Sequence, residues 1–241
     1  MPADDSRWFS DDERAALGRR TLDLLLDAID RGDKEAASGF AQRMFNEFLS
    51  MHDGYRNWVA ALLSEVGRRD GDEALEAVMH ASVAAWWLPN LETMSARTDD
   101  RRAQTKMFIA GLRGHLQPIE VDEDDERVIL RMTPCGSGGR LLLEGKYDGD
   151  GALLTIRKGS RMTYGRDDFP VYCAHEALME RINIERDGRP LVVVDPSHDL
   201  GTDPCSFIIY KDPDAVPPSY YERIGLAAPG GIDAADNQEA P

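Results

Sequence analysis

The first 118 residues repeat their apolar positions every three or four places, the spacing that lines one face of a helix. Ser10-Asp11-Asp12-Glu13 has the form of a capping box, a serine N-cap with a glutamate three residues on. It opens a run in which Leu17, Leu22, Leu24, Leu25 and Ile29 recur near helical spacing, and Gly32 closes it. A second helix is predicted from about Asp33. It carries Ala37, Phe40, Met44, Phe48 and Met51, and the chain should bend near Gly54. Trp58, Val59, Leu62, Leu63 and Val66 mark a third helix. Gly71-Asp72-Glu73 starts a fourth, which Pro89 ends. A fifth spans about Thr98 to Leu116. Helices interrupted at such short intervals predict a bundle of four or five.

The period then changes. Glu120–Glu126 holds six acids in seven residues and reads as a solvated boundary. Beyond it Arg127–Thr133 alternates like a strand, with Val128, Leu130 and Met132 on one face. Arg140–Glu144 and Ala152–Arg157 look like the arms of a hairpin around a turn rich in Gly and Asp. Leu191–Val194 and Ser206–Tyr210 are two further strands, and Glu176–Glu185 fits a helix with Leu178, Met179 and Ile182 inward. A last helical turn follows Pro217. The predicted class is α+β: an N-terminal helical bundle (1–118), an acidic linker (119–126), a C-terminal mixed α/β domain with a small, mainly antiparallel sheet (127–227), and a disordered tail (228–241).

Composition narrows what such a fold can do. The 44 acids and 28 bases leave a formal charge of −16 on 241 residues, which disfavours nucleic acid and anionic lipid as partners. No apolar run approaches the ~20 residues a bilayer needs, and the acidic start lacks the form of an export signal. The expected location is the cytoplasm, where the three cysteines are reduced thiols. The expected partner is a small molecule, and the sequence leaves room for a homodimer.

The thiols carry the candidate chemistry. Cys135 lies in Pro134-Cys135-Gly136-Ser137-Gly138-Gly139, Cys173 two residues before His175, and Cys205 in Asp203-Pro204-Cys205-Ser206-Phe207. A thiol that only fills a core sits inside an apolar run. These three sit beside Gly, Pro, Asp and His, all in the β-rich half. In one reading Cys135, Cys173, His175 and Cys205 bind zinc, although no C-x₂₋₄-C knuckle announces such a site. In the other, Cys135 is a nucleophile with His175 or His198 as its base and glycine amides around the oxyanion. Asp195 and His198 follow a predicted buried strand and join the catalytic candidates. His175-Glu176-Ala177-Leu178-Met179 begins like a zinc-protease H-E-x-x-H motif, but Met179 stands where the second histidine belongs. In the helical half Tyr55, Trp58, His80 and Trp87 are candidates to line an apolar ligand pocket.

The stretch Gly201-Thr202-Asp203-Pro204-Cys205-Ser206-Phe207, preceded by a Cys173 segment that leads into a helix, resembles the C-terminal pattern of the L-2-amino-thiazoline-4-carboxylic acid hydrolase-like proteins. There a Gly-x-Asp-x-Cys-x-Phe stretch ends the domain. Residues 51–55 and 71–75 are similar to the helical lead of those proteins. A looser resemblance links the chain to vinyl-reductase-type ligand-binding domains of small-molecule sensors, which can hold zinc through late cysteines. The first resemblance implies cleavage of a C–N or C–S bond in a small heterocycle. The second implies ligand binding without turnover.

Overall fold

The computed structural model describes residues 8–229 except Leu116 and Thr133. The chain's acidic start and all but the first two residues of the predicted tail lie outside the described residues. Two compact units are present, one ending at Tyr55 and the other beginning at Arg56.

The first unit contains α1 (Asp11–Leu17), α2 (Thr21–Asp30) and the opening of α3 (Lys34–Arg97). The capping box forms: the Glu13 amide donates to Ser10 Oγ at 3.2 Å, and the Ser10 amide donates to the Glu13 carboxylate at 2.7 Å. Gly32, with φ of 70°, lets the chain reverse between α2 and α3. The Thr21 hydroxyl then donates to Glu47 across the two helices at 2.8 Å.

Of the three breaks predicted between Lys34 and Arg97, the structure keeps the one at Gly71, where φ is 83° and ψ is 177° and two helical runs meet at a kink. The α3 stretch passes through Gly54 and Pro89, the other two, without leaving helical geometry. A glycine costs a helix interior only about 1 kcal/mol, which a long helix absorbs. Around Pro89, side chains bond the neighbouring carbonyls: Asn90 Nδ2 donates to the Trp86 carbonyl at 3.0 Å, and Thr93 Oγ1 to the Pro89 carbonyl at 2.8 Å. Among the described residues no helix is long and apolar enough to cross a membrane.

The second unit continues with α4 (Arg101–Leu112), β1 (Glu120–Glu123), β2 (Arg127–Arg131), α5 (Gly138–Leu143), β3 (Thr155–Ile156), β4 (Phe169–Pro170), α6 (His175–Asp187), β5 (Val193–Asp195), β6 (Ser206–Tyr210) and α7 (Pro218–Glu222). The fold is α+β, with a small antiparallel sheet in the C-terminal part. Its order is β1-β2-β6-β5, and β3 pairs with β4 separately.

Two expectations need correction. The acidic seam is not a free linker: its first four residues form the exposed edge strand β1, with Val121 opposite Leu130. Charge on an edge strand also discourages unwanted pairing. The hairpin predicted over 140–157 is absent. Residues 138–143 are the helix α5, and Thr155–Ile156 pairs with Phe169–Pro170 instead. Three consecutive leucines, 141–143, read equally as strand or helix, and the Arg140–Glu144 pair at helical spacing favours the helix.

Leu130 and Met132 of the β2 stretch face Trp87, Leu91 and Met94 of α3, Phe108 of α4, and Ile182 of α6. Burying each such side chain stabilises the fold by roughly 1.5–3 kcal/mol. A second cluster joins Leu75 and Met79 of α3 to Phe169, Val171 and Leu178. Between the sheet and α7 a buried ionic knot closes the unit. Arg223 Nη2 reaches Glu180 at 3.1 Å and the Val194 carbonyl at 2.7 Å, and Nη1 reaches Asp195 at 2.9 Å. Tyr164 donates its hydroxyl to Glu180 at 3.1 Å, and the guanidinium lies over the Tyr164 ring.

Candidate functional site

The second unit holds a cleft of about 860 Å³. Most of its wall is apolar, from Val83, Trp87 and Met94 of α3, Phe108 of α4, and Phe207 of β6. Polar groups gather on its lining as His115, Tyr172, His175 and Glu176. A large apolar cavity with a few placed polar groups is the usual form of a small-molecule site. Trp87 adds a further feature. It is 7% exposed, and its indole N–H has no acceptor. A buried donor without an acceptor is uncommon in folded proteins and suits a ligand that brings one.

His175 and Glu176 also line a second, small chamber of about 40 Å³, together with Cys135, Cys173 and Cys205. The three thiols, far apart in sequence, therefore share one cavity. The fold achieves this through glycine. A Cβ on Gly138 would lie 2.5 Å from Cys173 Sγ, and one on Gly136 would lie 2.3 Å from the His115 carbonyl. The Gly-rich turn is thus a close-packing device. It lets α5 approach Cys173 on one side and His115 on the other. Arg166 straps the loop before Cys205, donating to the Ser197 carbonyl at 2.6 Å and the His198 carbonyl at 3.0 Å.

Electrostatics divides the groups. Burial pushes the Cys173 thiol well up, and the neighbouring Cys135 and Cys205 push it further. Burial raises Cys205 to about 11. Both are therefore thiols at neutral pH. Burial pulls the His175 imidazole down, but the Glu176 carboxylate outweighs it and leaves the net shift upward. Burial pushes Glu176 up, and His175 with His115 brings it below its ordinary value. His175 and Glu176 form an ion pair at 3.2 Å. His175 Nδ1 also bonds the Tyr172 carbonyl at 2.5 Å, so both ring nitrogens are engaged. Burial raises the Tyr172 phenol to about 12, so it stays a hydroxyl.

Cys135, Cys173, His175 and Cys205 thus meet around one chamber. Yet among the described residues no three His, Cys, Asp or Glu side chains converge in a way that could hold a metal ion. Asp195 and His198 lie apart from each other in role. Asp195 accepts from the Tyr220 hydroxyl and pairs with Arg223, while the His198 side chain is exposed. Of the aromatic candidates, Trp87 lines the cleft. Tyr55 and Trp58 lie exposed on α3, and His80 pairs with Glu185 at 3.1 Å.

The structure adds two residues that sequence reasoning missed. His115 lines the cleft, and its Nδ1 lies 2.8 Å from Ser137 Oγ, which also bonds the Tyr172 hydroxyl. The pair spans 22 residues and matches no motif.

No protein-family model matches the chain, no curated protein matches its sequence, and no solved structure matches its fold.

Proposed function

We propose that this protein is a hydrolase that cleaves a C–N or C–S bond in a small molecule with an apolar body. One observation carries the reading: His175 and Glu176 form a wall shared by the apolar cleft and the chamber of three thiols. The ligand's body occupies the cleft, and its reacting carbon meets the shared wall. Burial holds Cys173 and Cys205 as thiols, so the nucleophile role falls to Cys135 on the Gly-rich turn. The Cys135 sulfur attacks the carbon, and its proton passes to the Glu176 carboxylate of the wall, which His175 keeps ionised. Glu176 returns it to the departing nitrogen or sulfur, and water then releases the covalent intermediate. Tyr172, protonated throughout, supplies a hydrogen bond to the oxygen or nitrogen on which the displaced electron pair gathers. The cytoplasm is the compartment that suits three reduced thiols.

The test uses 2-aminothiazoline-4-carboxylate and a panel of cyclic thioesters and amidines. Mass spectrometry should find products heavier by one water, and Cys135→Ala should abolish them while ligand still raises Tm. Iodoacetamide should label Cys135 before the other thiols. A second reading, a non-catalytic sensor domain, draws on the apolar lining and the waiting indole N–H of Trp87. Ligands that raise Tm and are recovered unchanged would establish that reading instead. Zinc analysis of untagged protein decides the metal version: near-stoichiometric zinc lost in Cys173→Ser would restore it.

A further inference from the structure

The first unit displays more apolar surface than it hides. Among its described residues only Thr21 and Ala28 are buried, and both are small. Most of its large side chains face outward, with Leu24, Leu25, Phe40 and Leu49 half-buried. Leu22, Leu26 and Ile29 follow the i, i+4, i+7 pattern of one stripe on α2, and Met44, Phe48 and Met51 follow it on α3. Each is exposed, up to 60% for Met51.

The two stripes lie on the same side of the hairpin. Thr21 and Glu47 touch, so they mark where the helices face each other. At about 100° per residue, both stripes are centred roughly a quarter turn past those residues in the chain direction. The helices run antiparallel, so equal turns in opposite senses bring the stripes to one flank.

We infer that this flank is the self-association surface of the protein, and that its occupant is a second copy of the same chain. Three observations select a copy over other partners. A two-helix hairpin without a core needs its apolar face covered in every molecule, and only the chain itself is always present in equal amount. Pairing two such hairpins face to face about a two-fold axis gives a four-helix arrangement with one shared core. Each stripe residue exposes about 100 Å², which with flanking stems approaches the ~800 Å² per partner of a standard interface.

Sedimentation equilibrium of the full chain at about 10 µM should give twice the 26.8 kDa of one chain. The double variant Phe48→Glu, Met51→Glu should sediment as a monomer with its helical circular dichroism intact. Benzoylphenylalanine installed at Phe48 in the otherwise native chain should crosslink to a dimer-sized product, and the same group at exposed Lys158 should not. This arm stands even if the double variant fails to fold. A native chain that is monomeric at about 100 µM overturns the inference, whether the flank then proves to bind neutral lipid vesicles or another protein. So does a dimer that survives the double variant and gives no crosslink from Phe48.

Discussion

The two units use the same kinds of residue to opposite ends. Residues 8–55 set leucine, methionine and phenylalanine at clean helical spacing, and two thirds of them remain exposed while none is buried. Residues 56–229 have a less regular pattern, yet they bury Leu75, Met79, Leu130, Met132, Leu141 and Ile209 almost completely. Regular amphipathicity is therefore a statement about a face, not about what covers it. The second unit supplies its own cover by packing helices onto both its sheet and its Gly-rich turn. The first leaves its face outside.

The strongest way to break this contrast is to remove a buried charge partner from the second unit. Arg223→Ala leaves Glu180, 1% exposed, without its cation and should cost about 3–5 kcal/mol. Leu130→Ala should cost about 2–5 kcal/mol, since that side chain is fully buried. In dilute, monomeric protein, Leu26→Ala in the first unit should change stability by less than about 0.5 kcal/mol. Urea unfolding measures all three, and a Leu26→Ala cost near that of Leu130→Ala would erase the difference between the units.

Next in size is Gly138→Ala. Its new methyl meets Cys173 Sγ, so about 1–3 kcal/mol of overpacking is expected, with faster alkylation of Cys173 as α5 shifts outward. Unchanged stability and thiol reactivity would show that the close approach is not what closes the chamber.

A third test concerns pH. Burial raises Glu180 to about 7 even though Arg223 opposes the rise. The unfolded chain releases that proton near 4.5, so between 4.5 and 7 the folded state binds more protons than the unfolded. The Glu180 contribution to stability therefore falls as pH rises through that window. His175, also raised, adds to the fall, because its stabilising charge is lost as pH passes its folded value. Glu176 runs the other way below 4.5, losing its contribution as it is protonated. Glu180→Gln should flatten the profile of urea midpoints between pH 4.5 and 7; a steep profile in that variant would place the titrating group elsewhere. A further small effect belongs to the cleft. Trp87→Phe keeps the ring and removes the N–H, and should weaken ligand binding by about 0.5–1.5 kcal/mol, whereas Trp58→Ala should leave it unchanged.

How far these features were legible in the sequence follows from their range. β2 and α6 were readable from the strand face of Val128, Leu130 and Met132 and the helical period of Leu178–Ile182, and β6 from the short apolar run Phe207–Tyr210, buried throughout. Gly71 was read as a helix start and is the one break in α3. Gly54 and Pro89 were misread, because a single weak residue does not stop a helix whose neighbours still pack. The region 138–157 failed for another reason. Its leucines have no period, and what decides their structure is a close approach to Cys173 and Leu142's contact with Gly201, both distant in sequence. The thiols could be suspected from their loop-like neighbours, but their meeting with the His175–Glu176 wall depends on the same long-range packing. His115 and Ser137 carried no local signal at all.

Pro89 gives one of the cleft's walls a particular softness. Lacking an N–H, it leaves the Ala85 carbonyl without its usual helical donor, in the turn that presents Trp86 and Trp87. A helix missing one rung opens there first when it is stretched or twisted. The cleft thus draws Phe207 from a strand paired on both sides, and Trp86 and Trp87 from a helical turn that lacks one rung.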